Sequence, residues 1–242
     1  MESSVLKLQI GTERVLIVPD LQIPFQHPDA FAFLKAVARK EGPTIVINIG
    51  DSIDANAISR YITSPDGYSA GMEHKLTLET LKEFYNIFPA GIEVESNHNA
   101  RIYKRAYDAG IPKEYLKSYA ELVEAPASWS FVESAEIDNI IYEHGHNFDG
   151  MYAARTAAIV NRKSTVMGHH HGFGGIHYIA NRQDMIFGMN VGCLIDEKAY
   201  AFEYAKSHKF KPTLMCGVVD RGVPKIYPMV VDNTGRWIQE LF

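Results

Sequence analysis

Short apolar runs that end in turn residues alternate with helically spaced apolar positions through the first two thirds of the chain. One run, 15–18, is Val-Leu-Ile-Val and ends at Pro19-Asp20; another, 44–49, ends at Gly50-Asp51. Compact β-branched runs of this kind read as buried strands. Between them Pro28 fits a first helical position, and Ala30, Phe33, Leu34 and Val37 recur at helical spacing until Gly42-Pro43 breaks the pattern. A strand, helix, strand unit implies parallel strands, with the ligand-binding loops at their carboxyl ends.

The pattern continues with Leu78, Leu81, Phe84, Tyr85 and Phe88, a helix that stops at Pro89 before a strand at 92–95. That strand leads into Ser96-Asn97-His98. Residues 112–124 read as a helix behind Pro112. A strand at 139–143 leads into His144-Gly145-His146, a helix covers 150–161, and a short strand at 165–167 leads into Gly168-His169-His170-His171. From residue 176 the signal becomes antiparallel, with hairpin turns at 181–184 and 220–222. With no internal repeat, low-complexity segment or linker-like stretch, residues 1–242 are expected to form a single domain.

Composition narrows the chemistry. A chain of 242 residues with 46% hydrophobic content can bury a sizeable core. No signal-peptide pattern opens it and no apolar run approaches membrane-spanning length, so a cytoplasmic protein without a membrane partner is expected. The two cysteines, Cys193 and Cys216, stand apart, which signals neither a disulfide framework nor a thiolate zinc site. A metal site must then use oxygen and nitrogen ligands. The formal charge of −5 argues against a broad footprint for duplex DNA, although a local basic patch suffices for one phosphodiester or nucleotide.

Metal-ligand residue types follow each of five strand candidates: Asp20-Leu21-Gln22, Gly50-Asp51-Ser52-Ile53-Asp54, Asn97-His98, His144-Gly145-His146 and His169-His170-His171. Strand ends in one sheet converge in space. Carboxylates gathered there are costly to desolvate alone, whereas a cation compensates several of them and orients imidazoles. The Asp, Asn, Gln and His mixture, without thiolates, suits Mn²⁺, Fe or Zn²⁺, and affinity alone does not choose among them. The expected cofactor is Mn²⁺ first, with Fe, Zn²⁺ or Ni²⁺ as alternatives, and its count of two divalent ions rests on the family resemblance that these residues carry.

In order and spacing, these residues resemble the calcineurin-like metallophosphoesterase family, whose motifs run DxH, GDxxD, GNH[D/E], a His at a strand end, and GHxH. The resemblance spans 15–171, and four motifs match at their ligand positions. The stretch 190–206 is also similar to phage-encoded members. The resemblance implies an α/β fold of two packed mixed β-sheets flanked by helices, a four-layer sandwich whose second sheet would take the antiparallel end of the chain. It implies that Asp20, Gln22, Asp51 and His171 hold one metal and Asp51, Asn97, His144 and His169 the other, with Asp51 bridging. His98 would be the general acid, Asp54 would orient its ring, and the nucleophile would be a metal-bound hydroxide. Two departures stand out: Gln22 replaces the usual His of the first motif, and Ser96-Asn97-His98-Asn99 replaces Gly-Asn-His-Asp/Glu. Ala55 also replaces the arginine that follows GDxxD in the protein Ser/Thr phosphatases of the superfamily, which removes a phosphate clamp.

Other polar residues have plainer readings. His27 and His74 lack motif context and read as structural. His170 should point away from His169 and His171, and His146 is the alternative to His144 or a residue of the outer site. The basic run Arg101, Lys104, Arg105, Lys113 and Lys117 reads as a solvated helix face, except that Arg101 is near enough to His98 to reach a substrate phosphate oxygen. Tyr103, Tyr107, Tyr115 and Tyr119 suit either base stacking or helix packing. The expected function is metal-dependent hydrolysis of phosphate esters by a phosphodiesterase or nuclease, on nucleic acid or nucleotides. A phosphomonoesterase and a non-catalytic scaffold are the alternatives.

Overall fold

The alternation of side chains along one short strand explains the layering. A computed structural model describes residues 4–9, 11–61, 63–199 and 211–241. Strand β2 (Arg14–Val18), following β1 (Val5–Leu8), sends Val15 and Ile17 into one buried cluster and Leu16 and Val18 into another. A strand that is apolar on both faces needs a layer on each side. On the Leu16 side lie α1 (Ala30–Glu41) and α2 (Ala70–Ile87), through Phe33, Leu34, Val37, Leu81 and Phe84. On the Val15 side, Ile47 of β3 (Ile45–Asn48) and Ile92 and Val94 of β4 (Gly91–Val94) meet a second sheet.

That second sheet contributes Ala135 and Ile137 of β6 (Ser134–Ile137), Tyr142 of β7 (Ile140–Tyr142) and Val166 of β8 (Ser164–Met167). Phe187 and Met189 of β10 (Met185–Asn190) complete its inner face, and α5 (Ala153–Asn161) covers the outer one. With β5 (Trp129–Val132), β9 (Gly175–Ala180), β11 (Met215–Asp220) and β12 (Val223–Pro228), the result is two six-stranded mixed sheets. Their orders are β12-β11-β2-β3-β4-β5 and β1-β6-β7-β8-β10-β9. Strands β2 to β5 run parallel, whereas β11 and β12 continue that sheet antiparallel. This is the α/β architecture of two packed mixed sheets with flanking helices expected above. No helix among the described residues is long and apolar enough to cross a membrane.

Several expectations are corrected. The ligand-bearing strands do not share one sheet: β2, β3 and β4 belong to the first, β7 and β8 to the second. The antiparallel end is divided too, β9-β10 joining the second sheet and β11-β12 the first. Helix α1 starts at Ala30, with Asp29 rather than Pro28 at its boundary. A helix over 112–124 does not form. Its place is taken by a 3-10 turn at Lys113–Tyr115 and by the single-turn α4 (Tyr119–Leu122), because Ser118 is extended and opens a new capping box with Glu121. Of the basic run, Arg101, Lys104 and Arg105 fall on α3 (Arg101–Asp108), whereas Lys113 opens the 3-10 turn and Lys117 lies outside any helix. Residues 200–206 of the stretch compared with phage-encoded members lie outside the described residues.

Candidate metal centre

Two sheets contribute to one site because their carboxyl ends face the same opening. From the first sheet, β2 carries Asp20 and Gln22, β3 carries Asp51 and Asp54, and β4 carries Asn97 and His98. From the second, β7 carries His144, and β8 carries His169 and His171. The ligand atoms fall into two sets, each within 4.8 Å: Asp51, His144 and His169, and Asp20, Asp51 and His171. Asp51 is common to both. Asn97 joins the first set, its Oδ1 lying 2.9 Å from His144 Nε2. Gln22 joins the second, its Nε2 lying 3.2 Å from His171 Nε2 and 3.5 Å from Asp51 Oδ2.

The backbone is bent to make these approaches. Gln22, Asp51 and His169 all have left-handed φ, of 47°, 46° and 68°. For residues with a Cβ this costs about 1–2 kcal/mol each, and such strain collects at functional sites. Gly50 and Gly168 supply the clearance. A Cβ on Gly50 would stand 2.7 Å from His144 Nδ1, and one on Gly168 would stand 2.3 Å from Asp20 Oδ1. The Asp51 N–H donates to Ser96 Oγ (2.8 Å), and Asp51 Oδ1 accepts from the His98 N–H (3.0 Å).

Acidic charge is concentrated in the site. Asp20, Asp51 and Asp54 are all buried, and Arg101 is the guanidinium that reaches one of them, with Nη1 3.3 Å from Asp54 Oδ1. Burial alone would raise the Asp51 carboxyl, but His144 and His98 outweigh it and hold it well below the ordinary carboxylate range. Burial would lower the His144 imidazole, yet Asp51 and Asp20 push it up to about 9. At His169, burial and the neighbouring His144 bring the ring down to about 4, so it stands neutral, with Nδ1 3.2 Å from His144 Nε2. Asp20 Oδ1 and Gln22 Oε1 are buried acceptors that meet no hydrogen-bond donor among the described residues. Orphaned acceptors beside the neutral His169 imidazole and buried carboxylates fit divalent cations.

His98 stands at the edge of this group, its Nδ1 2.7 Å from Asp54 Oδ1 and its Nε2 3.8 Å from Asp51 Oδ2. Arg101 Nη2 donates to His98 Nε2 (2.9 Å). His146 lies exposed outside, its ring 5.8 Å from that of His144 and 6.4 Å from that of His169. His170 turns to the Phe148 carbonyl, 2.9 Å away. His27 packs far off against the Gly235 carbonyl (2.9 Å), and His74 lies exposed on α2. Sequence reasoning missed Ser52, Glu93 and Ser96, which brace the loops from behind. The available signal was a carboxylate at 93 between the buried Ile92 and Val94.

No protein-family model matches the chain, and no curated protein does. Among solved structures, the chain is similar to vacuolar protein sorting 29 from Cryptosporidium parvum, at 16% identity and a TM-score of 0.46, over 96% of this chain and 98% of that one. It is also similar to YfcE, a phosphoesterase from E. coli, at 13% identity and a TM-score of 0.41, over 93% of this chain and 96% of that one.

Proposed function

We propose that the protein is a metal-dependent phosphoesterase of the calcineurin-like kind that acts on phosphodiesters of nucleotide type. The observation that carries this reading is the pair of Asp/His sets sharing Asp51, with an unpartnered Asp20 oxygen inside one of them. Asp20, Gln22, Asp51 and His171 would hold one ion, and Asp51, Asn97, His144 and His169 the other, Mn²⁺ being the best match to this donor set. Ions held there would supply Lewis acidity and would lower the pKa of water enough to provide hydroxide near neutral pH.

The chain's own residues do the rest. Asp54 fixes the His98 ring through Nδ1 and leaves Nε2 facing the opening. Arg101, now donating to that Nε2 and to the Asp54 carbonyl (2.9 Å), lies where an incoming phosphate oxygen becomes its better acceptor. Transfer of the guanidinium to phosphate frees the Nε2 lone pair to take up a proton from solvent, and the imidazolium, held through Nδ1 by Asp54, then gives that proton to the leaving oxygen and returns to the neutral ring. Rigid donors aimed at the phosphoryl group contribute by being placed before the reaction begins.

Support for a nucleotide comes from a cleft of about 1100 Å³ beside α3, lined by Tyr103, Lys104, Tyr107, Lys117 and Phe131 among others. Its lining includes Ala100, two residues beyond His98. Aromatic rings next to lysines suit a base and its phosphate. Glu95, Asp108, Glu121 and Glu133 also line the cleft, which favours a single nucleotide over a long strand. The test is hydrolysis of bis(p-nitrophenyl) phosphate, p-nitrophenyl phosphate and a p-nitrophenyl nucleotide ester with added Mn²⁺. Faster turnover of the nucleotide ester than of either aryl ester is expected. Preference for the monoester identifies a phosphomonoesterase, and no turnover of any identifies a scaffold.

A further inference from the structure

Behind the metal centre lies a carboxylate with no part in the reading above. Glu93, in the middle of β4, is 2% exposed. Its strand neighbours Ile92 and Val94 point between the two sheets, so Glu93 points the other way, beneath the loops that leave β3 and β4. One oxygen, Oε1, accepts from Ser52 Oγ at 2.5 Å and from Asn99 Nδ2 at 2.6 Å. Tyr119 of α4 also hydrogen-bonds to the carboxyl, with its hydroxyl 2.9 Å from Ser52 Oγ. No lysine or arginine contacts Glu93 among the described residues.

The positions of these partners give the network its meaning. Ser52 directly follows Asp51, the residue common to both ligand sets, and Asn99 directly follows His98. A second strap runs the same way, as Ser96 Oγ accepts from the N–H groups of Asp51 (2.8 Å) and Asn99 (3.4 Å). Burial pushes the Glu93 carboxyl up to about 7, while Ser52, Asn99 and Tyr119 pull against that rise. An apolar side chain would fill a strand position facing α2 without this cost. The acid is costly, and what it holds is the junction of the two loops.

We propose that Glu93 is a positioning residue that locks the Asp51 loop to the His98 loop through Ser52 and Asn99, and so sets both the metal affinity and the general-acid geometry of the centre. The proposal rests on the metal-centre reading. It also accounts for the third motif: Asn99 supplies an amide because its partner is an acid, and an acid at 99 would set two carboxylates against each other in a dry site.

The acid and amide can be exchanged without changing size, which provides the test. Parent, Glu93→Gln, Asn99→Asp and the double variant are compared by calorimetric Mn²⁺ titration, by kcat and KM on bis(p-nitrophenyl) phosphate, and by thermal melting. Asn99→Asp is expected to weaken Mn²⁺ binding and lower kcat by about tenfold or more with KM little changed, and Glu93→Gln to do so less severely. The double variant restores one acid and one amide and should recover to within about threefold of the parent, a coupling that independent sites do not show. Ser52→Ala, which removes the other arm, should weaken Mn²⁺ binding even if Asn99→Asp fails to fold. Lower melting temperatures with unchanged Mn²⁺ affinity and kcat would make Glu93 a packing residue and overturn the proposal, as would losses that simply add in the double variant. A parent that binds no Mn²⁺ overturns the metal-centre reading itself, and this outcome is read before any variant is made.

Discussion

His98 and Asp54 form a buried pair: the imidazole Nδ1 lies 2.7 Å from a carboxylate oxygen that has no exposure of its own. A carboxylate there fixes which ring nitrogen carries the proton and which way the ring faces. Asp54→Asn keeps the shape but can present an N–H to the same nitrogen. Turnover of substrates with poor leaving groups should fall about 10- to 100-fold, while Mn²⁺ stoichiometry by calorimetry stays at the parent value. His98→Ala should show the same asymmetry more strongly, because nitrophenolate needs little protonation to depart. Equal losses on alkyl and nitrophenyl esters would remove both residues from the proton-transfer role.

Asp51 is the group the two ligand sets share. Its neutralisation should therefore affect both ions, unlike loss of His169 or His171, each of which belongs to one set. Asp51→Asn is expected to lower kcat by at least about 1000-fold, and to lower the number of Mn²⁺ ions bound at micromolar concentration. Turnover near the parent level with excess Mn²⁺ would mean that the two-ion assignment is wrong.

Away from the site, Asp29 ties the C-terminal segment to the start of α1. It accepts from Arg236 Nε (2.7 Å) and the Trp237 N–H (2.9 Å), and the Arg236 bond leads the effects that hold its carboxyl down to about 2. A carboxyl lowered from 3.8 to about 2 contributes stability that is fully present above pH 4 to 5 and is lost as pH falls through 2. Asp29→Asn should then lower the melting temperature at pH 7 by a few degrees, on the order of 1 kcal/mol for a partly exposed pair. The gap between the two proteins should close near pH 2. A gap that is constant with pH would show that packing rather than charge is lost.

Much of this was legible in the sequence, for identifiable reasons. The ligand types could be placed because each follows a compact apolar run, and those runs are β2, β3, β4, β7 and β8. The sheet assignment was not legible: β2 is apolar on both faces, so its pattern shows that two layers flank it without showing what they are. Strands β1, β5 and β6 went unseen because each has only four residues with mixed polarity, and β1 pairs with β6 more than a hundred residues away. At 112–124 the helical spacing of Tyr115, Tyr119, Leu122 and Val123 was outweighed by a local signal, the Ser118 capping box, which restarts the helix there. Glu93 remained hidden for a related reason. A carboxylate inside a strand gains meaning only when its partners, Ser52 41 residues before it and Asn99 six after it, are known.

Gln22 is the position where the site departs most from the family it resembles, and the structure brings its side chain beside Asp51 and His171. Its side chain is fully buried, Nε2 lies 3.2 Å from His171 Nε2, and Oε1 has no donor, so a half-turn of the amide turns that oxygen toward Asp51 and His171. A neutral amide oxygen binds Mn²⁺, Fe²⁺ or Zn²⁺ less tightly than an imidazole nitrogen does. The set of Asp20, Gln22, Asp51 and His171 should therefore release its ion first on dialysis, and activity should return on adding Mn²⁺. Gln22→His should tighten that site by about tenfold or more, lowering the Mn²⁺ concentration for half-maximal rate. His27 offers no substitute ligand, being held at the Gly235 carbonyl. The left-handed backbone at Gln22 costs either residue alike, since both carry a Cβ. Calorimetric titration of the two proteins decides the matter: two equally tight ions in the parent, or unchanged affinities in Gln22→His, would place Gln22 outside the coordination shell.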